Sequence, residues 1–217
     1  CDVGCEASVA AFAAAVQAAV GPVDVLVNNA GIGHLGSFEQ TPVAWWRHTL
    51  DVNVLGIVHL VQAFLPAMRA AGGERKIVNV ASLAGVAPAP NMAAYAASKH
   101  AVVGLSEVLA LELYASPVSL LVVCPGVINT NIVNATGMTT SGISTAQIEK
   151  LRRYYVEHGC LPDVVAAGIV RSVLNDDLYL FVGPAARPAS VLARVSRRLT
   201  RRITIRGARK SGYLADA

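Results

Sequence analysis

The sequence predicts an α/β fold of the doubly wound kind, an open parallel sheet covered by helices on both faces. Two observations carry that expectation. Val23-Asp-Val-Leu-Val27, Lys76-Ile-Val-Asn-Val80 and Val118-Ser-Leu-Leu-Val-Val123 are short and almost continuously apolar, as strands buried on both sides are. Each runs into a string of small or turn-forming residues, Asn28-Asn-Ala-Gly31, Ala81-Ser82 and Pro125-Gly126, and longer segments of helical character separate them.

Taken in order, an Ala-rich helix is expected over 6–20, then the first strand over 23–29. A long helix over 42–71 follows, opened by Thr41 as N-cap and Pro42 at the first helical position. Trp45, Trp46 and Phe64 on it read as core or subunit-contact residues. Asn53 and His59 share the same helix, and a polar residue there is commonly a satisfied core amide. After the strand over 76–81, a helix carries Tyr95 and runs to about 114, and Pro117 precedes the strand over 118–123. Residues 129–142 are polar and small and read as a loop over the substrate. Helices over 144–158 and 162–175 and a last strand over 178–182, stopped by Gly183-Pro184, complete the pattern. His34, just beyond Gly31, reads as a loop histidine.

The chain has 217 residues, 54% hydrophobic and 15% charged, enough for one substantial core. Cysteines 1, 5, 124 and 160 lack Cys-x-x-Cys spacing, so reduced thiols, a cytoplasmic setting and no metal site are expected. The apolar run from Ala7 to Val20 is too short to span a bilayer.

Charge divides the chain. Between Arg187 and Lys210 stand eight Arg, one Lys and no acid, a local +9 that leaves nine basic against fourteen acidic residues elsewhere. Val191, Leu192, Val195 and Leu199 recur at helical spacing, and Arg194, Arg197, Arg198, Arg201 and Arg202 take other faces. This predicts an α/β domain over 1–186 and a basic amphipathic tail over 187–217. Three readings of the tail stand side by side: an anchor on an anionic membrane surface, a helix docked on its own domain, and a nucleic-acid contact. The last ranks lowest, because no aromatic platform is interleaved with the arginines.

The chemistry is concentrated in Asn91-Met-Ala-Ala-Tyr95-Ala-Ala-Ser-Lys99. Residues four apart share a helix face, so the Lys99 ammonium can lie near the Tyr95 phenol. A neighbouring cation lowers a phenol pKa that is ordinarily about 10, which suits a general acid/base. Ser82, thirteen residues upstream at a strand end, would hold a substrate oxygen. A Tyr and a Lys so spaced also occur by chance on many helices. The strand ends strengthen the functional reading, because ligands of open parallel sheets bind outside the carboxyl ends of the strands.

In combination, Asn28-Asn29-Ala30-Gly31, Asn53 within Asp51-Val-Asn-Val-Leu-Gly56, Ser82, Tyr95-x-x-x-Lys99 and Pro125-Gly126 resemble the short-chain dehydrogenase/reductase family over roughly residues 1–185. The resemblance implies Tyr95 as acid/base, Ser82 positioning the substrate oxygen, Lys99 lowering the tyrosine pKa and binding the nicotinamide ribose, and Asn53 anchoring a water in a proton relay. It implies Asp2 and Val3 at the adenine, Asn28, Asn29, Ala30 and Gly31 along the adenine-ribose side, and Pro125, Gly126 and Thr130 beside the nicotinamide. It further implies an NAD- or NADP-dependent oxidoreductase of a small secondary alcohol or ketone, acting as a homo-oligomer. The small apolar residues of Val86-Ala-Pro-Ala-Pro90 favour a lipophilic substrate. A non-catalytic binding module and an epimerase or dehydratase are the alternatives. The four intact site residues count against the first, and the short stretch after Gly126 counts against the second.

One departure matters. The family opens with a strand, a glycine-rich turn and a helix whose N-terminus receives the pyrophosphate, and none of these stands ahead of residue 23. The expectation is that about 50–60 residues, two βαβ units sharing a strand, precede Cys1. In the implied strand order 3-2-1-4-5-6-7, the strand over 23–28 then has an open edge.

Overall fold

The computed structural model describes residues 1–130, 139–175 and 177–214. Four strands, β1 (Val25–Asn28), β2 (Arg75–Val80), β3 (Val118–Pro125) and β4 (Tyr179–Val182), form one parallel sheet in the order β1-β2-β3-β4. The helices are α1 (Glu6–Val20), α2 (Val43–Leu50), α3 (Gly56–Ala70), α4 (Ala93–Glu112), α5 (Thr145–His158), α6 (Pro162–Leu174), α7 (Ala186–Val195) and α8 (Arg197–Ser211).

Alternation along the strands builds two layers of core. Ile77, Leu120 and Val122 face α3 and α4, where Ile57, Leu60, Phe64, Met68 and Val102 are buried, and Val9 and Ala13 of α1 join the same cluster. Val78, Leu121 and Val123 face the other way, against Val165, Ile169 and Val173 of α6. This is the doubly wound arrangement that the apolar runs predict. β1 stands at the sheet edge, with Val25 and Val27 42% and 47% exposed.

The helix expected over 42–71 contains a feature that periodicity does not reveal. Between α2 and α3 the chain widens into a π-helical segment, Asp51–Leu55, with Asn53 at its centre. Such bulges reorient side chains and concentrate at functional sites. Phe64 is core, whereas Trp45 and Trp46 are half-buried, their rings edge-on to His34 and Phe38.

The basic tail is two helices, where the sequence suggests one. Ser196 adopts an extended conformation (φ −150°, ψ 100°) and caps α8, its Oγ accepting from the Leu199 amide at 3.2 Å. That cap satisfies an amide that a continuous helix would have bonded internally. Small residues dock the pair on the domain: Ala186, Ser190, Ala193, Thr200, Ala208 and Ser211 are buried.

Candidate active site

Tyr95 and Lys99 lie on the first two turns of α4, at the carboxyl end of the sheet. Ser82 follows β2 and caps a single 3-10 turn, Leu83–Gly85, with its Oγ accepting from the Ala84 amide at 3.1 Å. This turn presses on α4 through a glycine. A Cβ on Gly85 would stand 2.6 Å from the Lys99 carbonyl oxygen, so a larger residue would push Ser82 away from Tyr95. The Ser82 side chain and the Tyr95 phenol share a hydrogen bond. Lys99 Nζ donates to the Val80 carbonyl at 2.8 Å and lies 5.8 Å from the centroid of the Tyr95 ring.

Asn53, wholly buried, works as a bracket. Its Oδ1 accepts from the Ile32 amide at 2.8 Å, and its Nδ2 donates to the Ile32 carbonyl and to Ser98 Oγ, each at 2.9 Å. The π segment is thereby tied both to the loop after β1 and to α4. Gly31 lies over this junction, where an added Cβ would stand 3.4 Å from both Asn53 Oδ1 and Lys99 Nζ. The side-chain atoms of Asn53 are engaged with protein, so its observed role is to position the loop and the helix.

Burial dominates the electrostatics. It pushes the Tyr95 phenol up to about 12, the Ser82 hydrogen bond pulls it back, and Tyr155 raises it further. Burial pushes Lys99 down to about 8, opposed by Cys124. The Cys124 thiol, beneath the pair at the end of β3, is pushed up to about 12 by burial, and the Ser82 backbone amide, Lys99 and Arg194 act in the opposite direction. Burial is the largest influence on both Tyr95 and Lys99. Desolvation disfavours the charged form of each, raising the phenol and lowering the ammonium.

The remaining candidates divide. Asn29, Ala30 and Gly31 are exposed at the end of β1. Asn28 faces inward, donating from Nδ2 to Asn79 Oδ1 at 2.7 Å, and Asn79 in turn donates to Ser106 Oγ at 2.9 Å. Its side chain braces the sheet and does not line the crevice. Asp2 is exposed, with Oδ1 accepting from the Gly4 amide at 3.0 Å, and the Val3 carbonyl stands 3.1 Å from His59 Nδ1. Both therefore lie against the π segment and the start of α3. Pro125 and Gly126 are half-buried at the end of β3, and the Gly126 amide donates to Val182 at 2.8 Å. Thr130 is half-buried. Most of the expected lid, residues 131–138, lies outside the described residues; its far end is tied down where the Thr140 amide donates to Leu35 at 2.9 Å. His34 is buried rather than a surface loop residue, with Nδ1 3.3 Å from Thr49 Oγ1, and burial lowers its pKa.

Sequence reasoning passed over Ser98, Asn91, Tyr155 and Tyr213. Ser98 immediately precedes Lys99, and only the buried bond to Asn53 distinguishes it from any small helix residue. Asn91 has a turn signal, Pro90-Asn91, and takes φ 59°.

The model of the short chain dehydrogenase family matches residues 1–140. This chain belongs to that family. Two related proteins and one solved structure show the range of its similarity. The probable oxidoreductase EphD of Mycobacterium tuberculosis is 38% identical over 198 residues, 89% of this chain and 33% of EphD, so the chain spans about a third of that protein's length. The trans-4-hydroxycyclohexanecarboxylate dehydrogenase of Sinomonas cyclohexanicum is 43% identical over 122 residues, 55% of this chain and 46% of that enzyme. The crystal structure of a short-chain dehydrogenase/reductase from Burkholderia phymatum in complex with NAD superposes with a TM-score of 0.79 at 31% identity, covering 88% of this chain and 72% of that one. Membership of the short-chain dehydrogenases accounts for the parallel sheet with helices on both faces.

Proposed function

We propose that this chain carries the catalytic end of an NAD(P)-dependent oxidoreductase that interconverts a secondary alcohol and a ketone. The observation that carries the reading is the Ser82–Tyr95 hydrogen bond with Lys99 Nζ alongside, all at the carboxyl end of a parallel sheet. Similarity to a dehydrogenase named for a ring alcohol supports the substrate class.

The residues present fit the nicotinamide-ribose end of such a cofactor. An ammonium has three donors, and Lys99 uses one on Val80; the others suit ribose hydroxyls. Asn29, Ala30 and Gly31 offer exposed backbone with little side-chain bulk. A glycine-rich turn opening a helix is absent among the described residues. The half-exposed Val25 and Val27 leave the edge of β1 open to further pairing.

When bound, the cofactor supplies the hydride. This chain's residues orient the carbonyl and supply the proton. Ser82 and Tyr95 both direct hydroxyl groups at the oxygen that becomes the alcohol. Burial pushes the Tyr95 phenol up, so it holds its proton at neutral pH and is placed to give that proton to a carbonyl oxygen, or to take it back from the alcohol in the reverse direction. Asn53 and Ser98 hold α4 and the loop after β1 in register.

The test is isotopic. NAD(P)H deuterated at C4, a small methyl ketone and the enzyme should give an alcohol labelled at the carbinol carbon. Unlabelled alcohol, or no alcohol across a ketone panel, would contradict the reading.

A second reading concerns where the enzyme acts. Val191, Val195, Leu199 and Ile203 are exposed beside exposed Arg198, Arg201 and Arg202 on α7 and α8. Apolar side chains flanked by arginines suit an anionic membrane surface. Assembly into a homo-oligomer is a companion proposal, supported by the exposed Val108 and Leu111 of α4 and by the exposed Tyr114 just beyond its end.

A further inference from the structure

We propose that α8 closes the substrate chamber and that Tyr213 is a specificity-determining residue, the Tyr155–Tyr213 couple setting how large a ketone substituent can stand beside Tyr95. The inference deepens the oxidoreductase reading and rests on it.

Helix α8 is clipped at both ends to the segment that joins Ser82 to Tyr95. At its start, an Arg197 guanidinium nitrogen donates to the Val86 carbonyl at 3.1 Å. Just beyond its end, Asn91 Nδ2 donates to the Tyr213 carbonyl at 2.5 Å. Asn91 is itself held, its carbonyl accepting from the Gly36 amide at 2.9 Å, and it stands four residues before Tyr95. A tail that carries none of the family's motif residues thus reaches the edge of the site.

Tyr213 is fixed from the opposite side as well. Its hydroxyl lies 2.5 Å from the hydroxyl of Tyr155 on α5. Gly212 turns the chain off α8 at φ 91° and fits tightly against α5, where a Cβ would meet the Gln147 carbonyl oxygen at 2.9 Å and the Leu151 amide nitrogen at 3.0 Å. Tyr213 therefore bridges the start of α4 and the helix α5. Tyr155 acts electrostatically on Tyr95, and Tyr95 on Tyr213, in keeping with the hydrogen-bonded path that runs from Asn91 through Tyr213 to Tyr155. Because the Tyr155 and Tyr213 hydroxyls satisfy each other, what they offer a substrate is aromatic ring. Such a wall suits an apolar substituent and limits its bulk.

The test compares kcat/KM for a graded series of aryl and alkyl methyl ketones in the full enzyme. Tyr213→Ala should raise the large-to-small ketone ratio about tenfold, within the range that pocket contacts of this size discriminate, with most of the change in KM for the large ketones. Tyr213→Phe keeps the ring and should keep the wild-type ranking. Asn91→Gly tolerates the positive φ and removes only the clip; it should shift the ranking in the same direction and speed hydrogen exchange at the Leu214 amide, which is bonded to Ala208. Unchanged ranking in folded Tyr213→Ala and Asn91→Gly would overturn the proposal. A wild-type enzyme that reduces no ketone would refute the oxidoreductase reading instead, and the exchange experiment would then decide whether the tail is clipped as described, unaltered exchange in Asn91→Gly overturning it.

Discussion

Asn53 and Ser98 are joined side chain to side chain at 2.9 Å across forty-five residues of sequence, and Ser98 Oγ donates onward to the Tyr95 carbonyl at 2.7 Å. Through this chain of two bonds the π segment fixes the rotation of α4, and with it the direction in which Tyr95 and Lys99 face. The loop after β1 is held by the same amide.

Asn53→Ala would leave the Ile32 amide and carbonyl and the Ser98 hydroxyl short of partners. Ser98 keeps its bond to the Tyr95 carbonyl, and the two Ile32 groups left without partners cost about 1–3 kcal/mol each, so urea unfolding should show a loss of roughly 2–6 kcal/mol. Ketone reduction should fall mainly through kcat, since the acid would be misplaced in the transition state. A folded variant within about 0.5 kcal/mol of wild type, inside the range of ordinary surface substitutions, would show that the bracket contributes little.

Lys99 gives stability a definite pH dependence. Its folded pKa is lowered to about 8 from 10.5, so between those values the unfolded chain binds more protons and stability rises with pH. Below pH 8 the buried cation costs roughly 3 kcal/mol by that difference. Tyr95 and Cys124, both raised to about 12, contribute with the opposite sign at higher pH. Comparing Lys99→Met with wild type removes most of those contributions, leaving only the coupling between Lys99 and Cys124. The stability of Lys99→Met relative to wild type should therefore decline by about 3 kcal/mol between pH 7.5 and 10.5. A difference that does not vary with pH would contradict the burial argument.

The layered fold was legible because parallel strands buried on both faces leave an unbroken apolar signature. Ser82, Tyr95 and Lys99 were legible because their spacing survives as strand end and helix turn. Asn53 was visible as a residue but not as a bracket, since a π bulge has no hydrophobic period of its own. The couple of Tyr155 with Tyr213 joins residues 58 apart through helices whose docking depends on small residues, and small residues leave no periodic trace. The break at Ser196 was missed because apolar spacing continues across it, and the serine alone marks the cap.

The basic tail should hold the enzyme on anionic vesicles. Replacing exposed Arg198, Arg201 and Arg202 by Gln removes contacts worth about 1 kcal/mol each, so vesicle affinity should drop on the order of 100-fold. Added salt should weaken wild-type binding. The readout is co-sedimentation with phosphatidylserine-containing and neutral liposomes, and equal sedimentation of wild type and variant on anionic lipid would remove the membrane reading.

The central claim is that the Tyr95 phenol delivers the proton. The direct measurement is kcat of Tyr95→Phe for a small methyl ketone, taken alongside NAD(P)H affinity of the same enzyme by fluorescence titration. General acid catalysis of this kind contributes about 10²–10⁴-fold, so kcat should fall by at least about a hundredfold while cofactor affinity stays close to wild type. Turnover that survives the loss of the hydroxyl, with cofactor bound as before, would contradict the account.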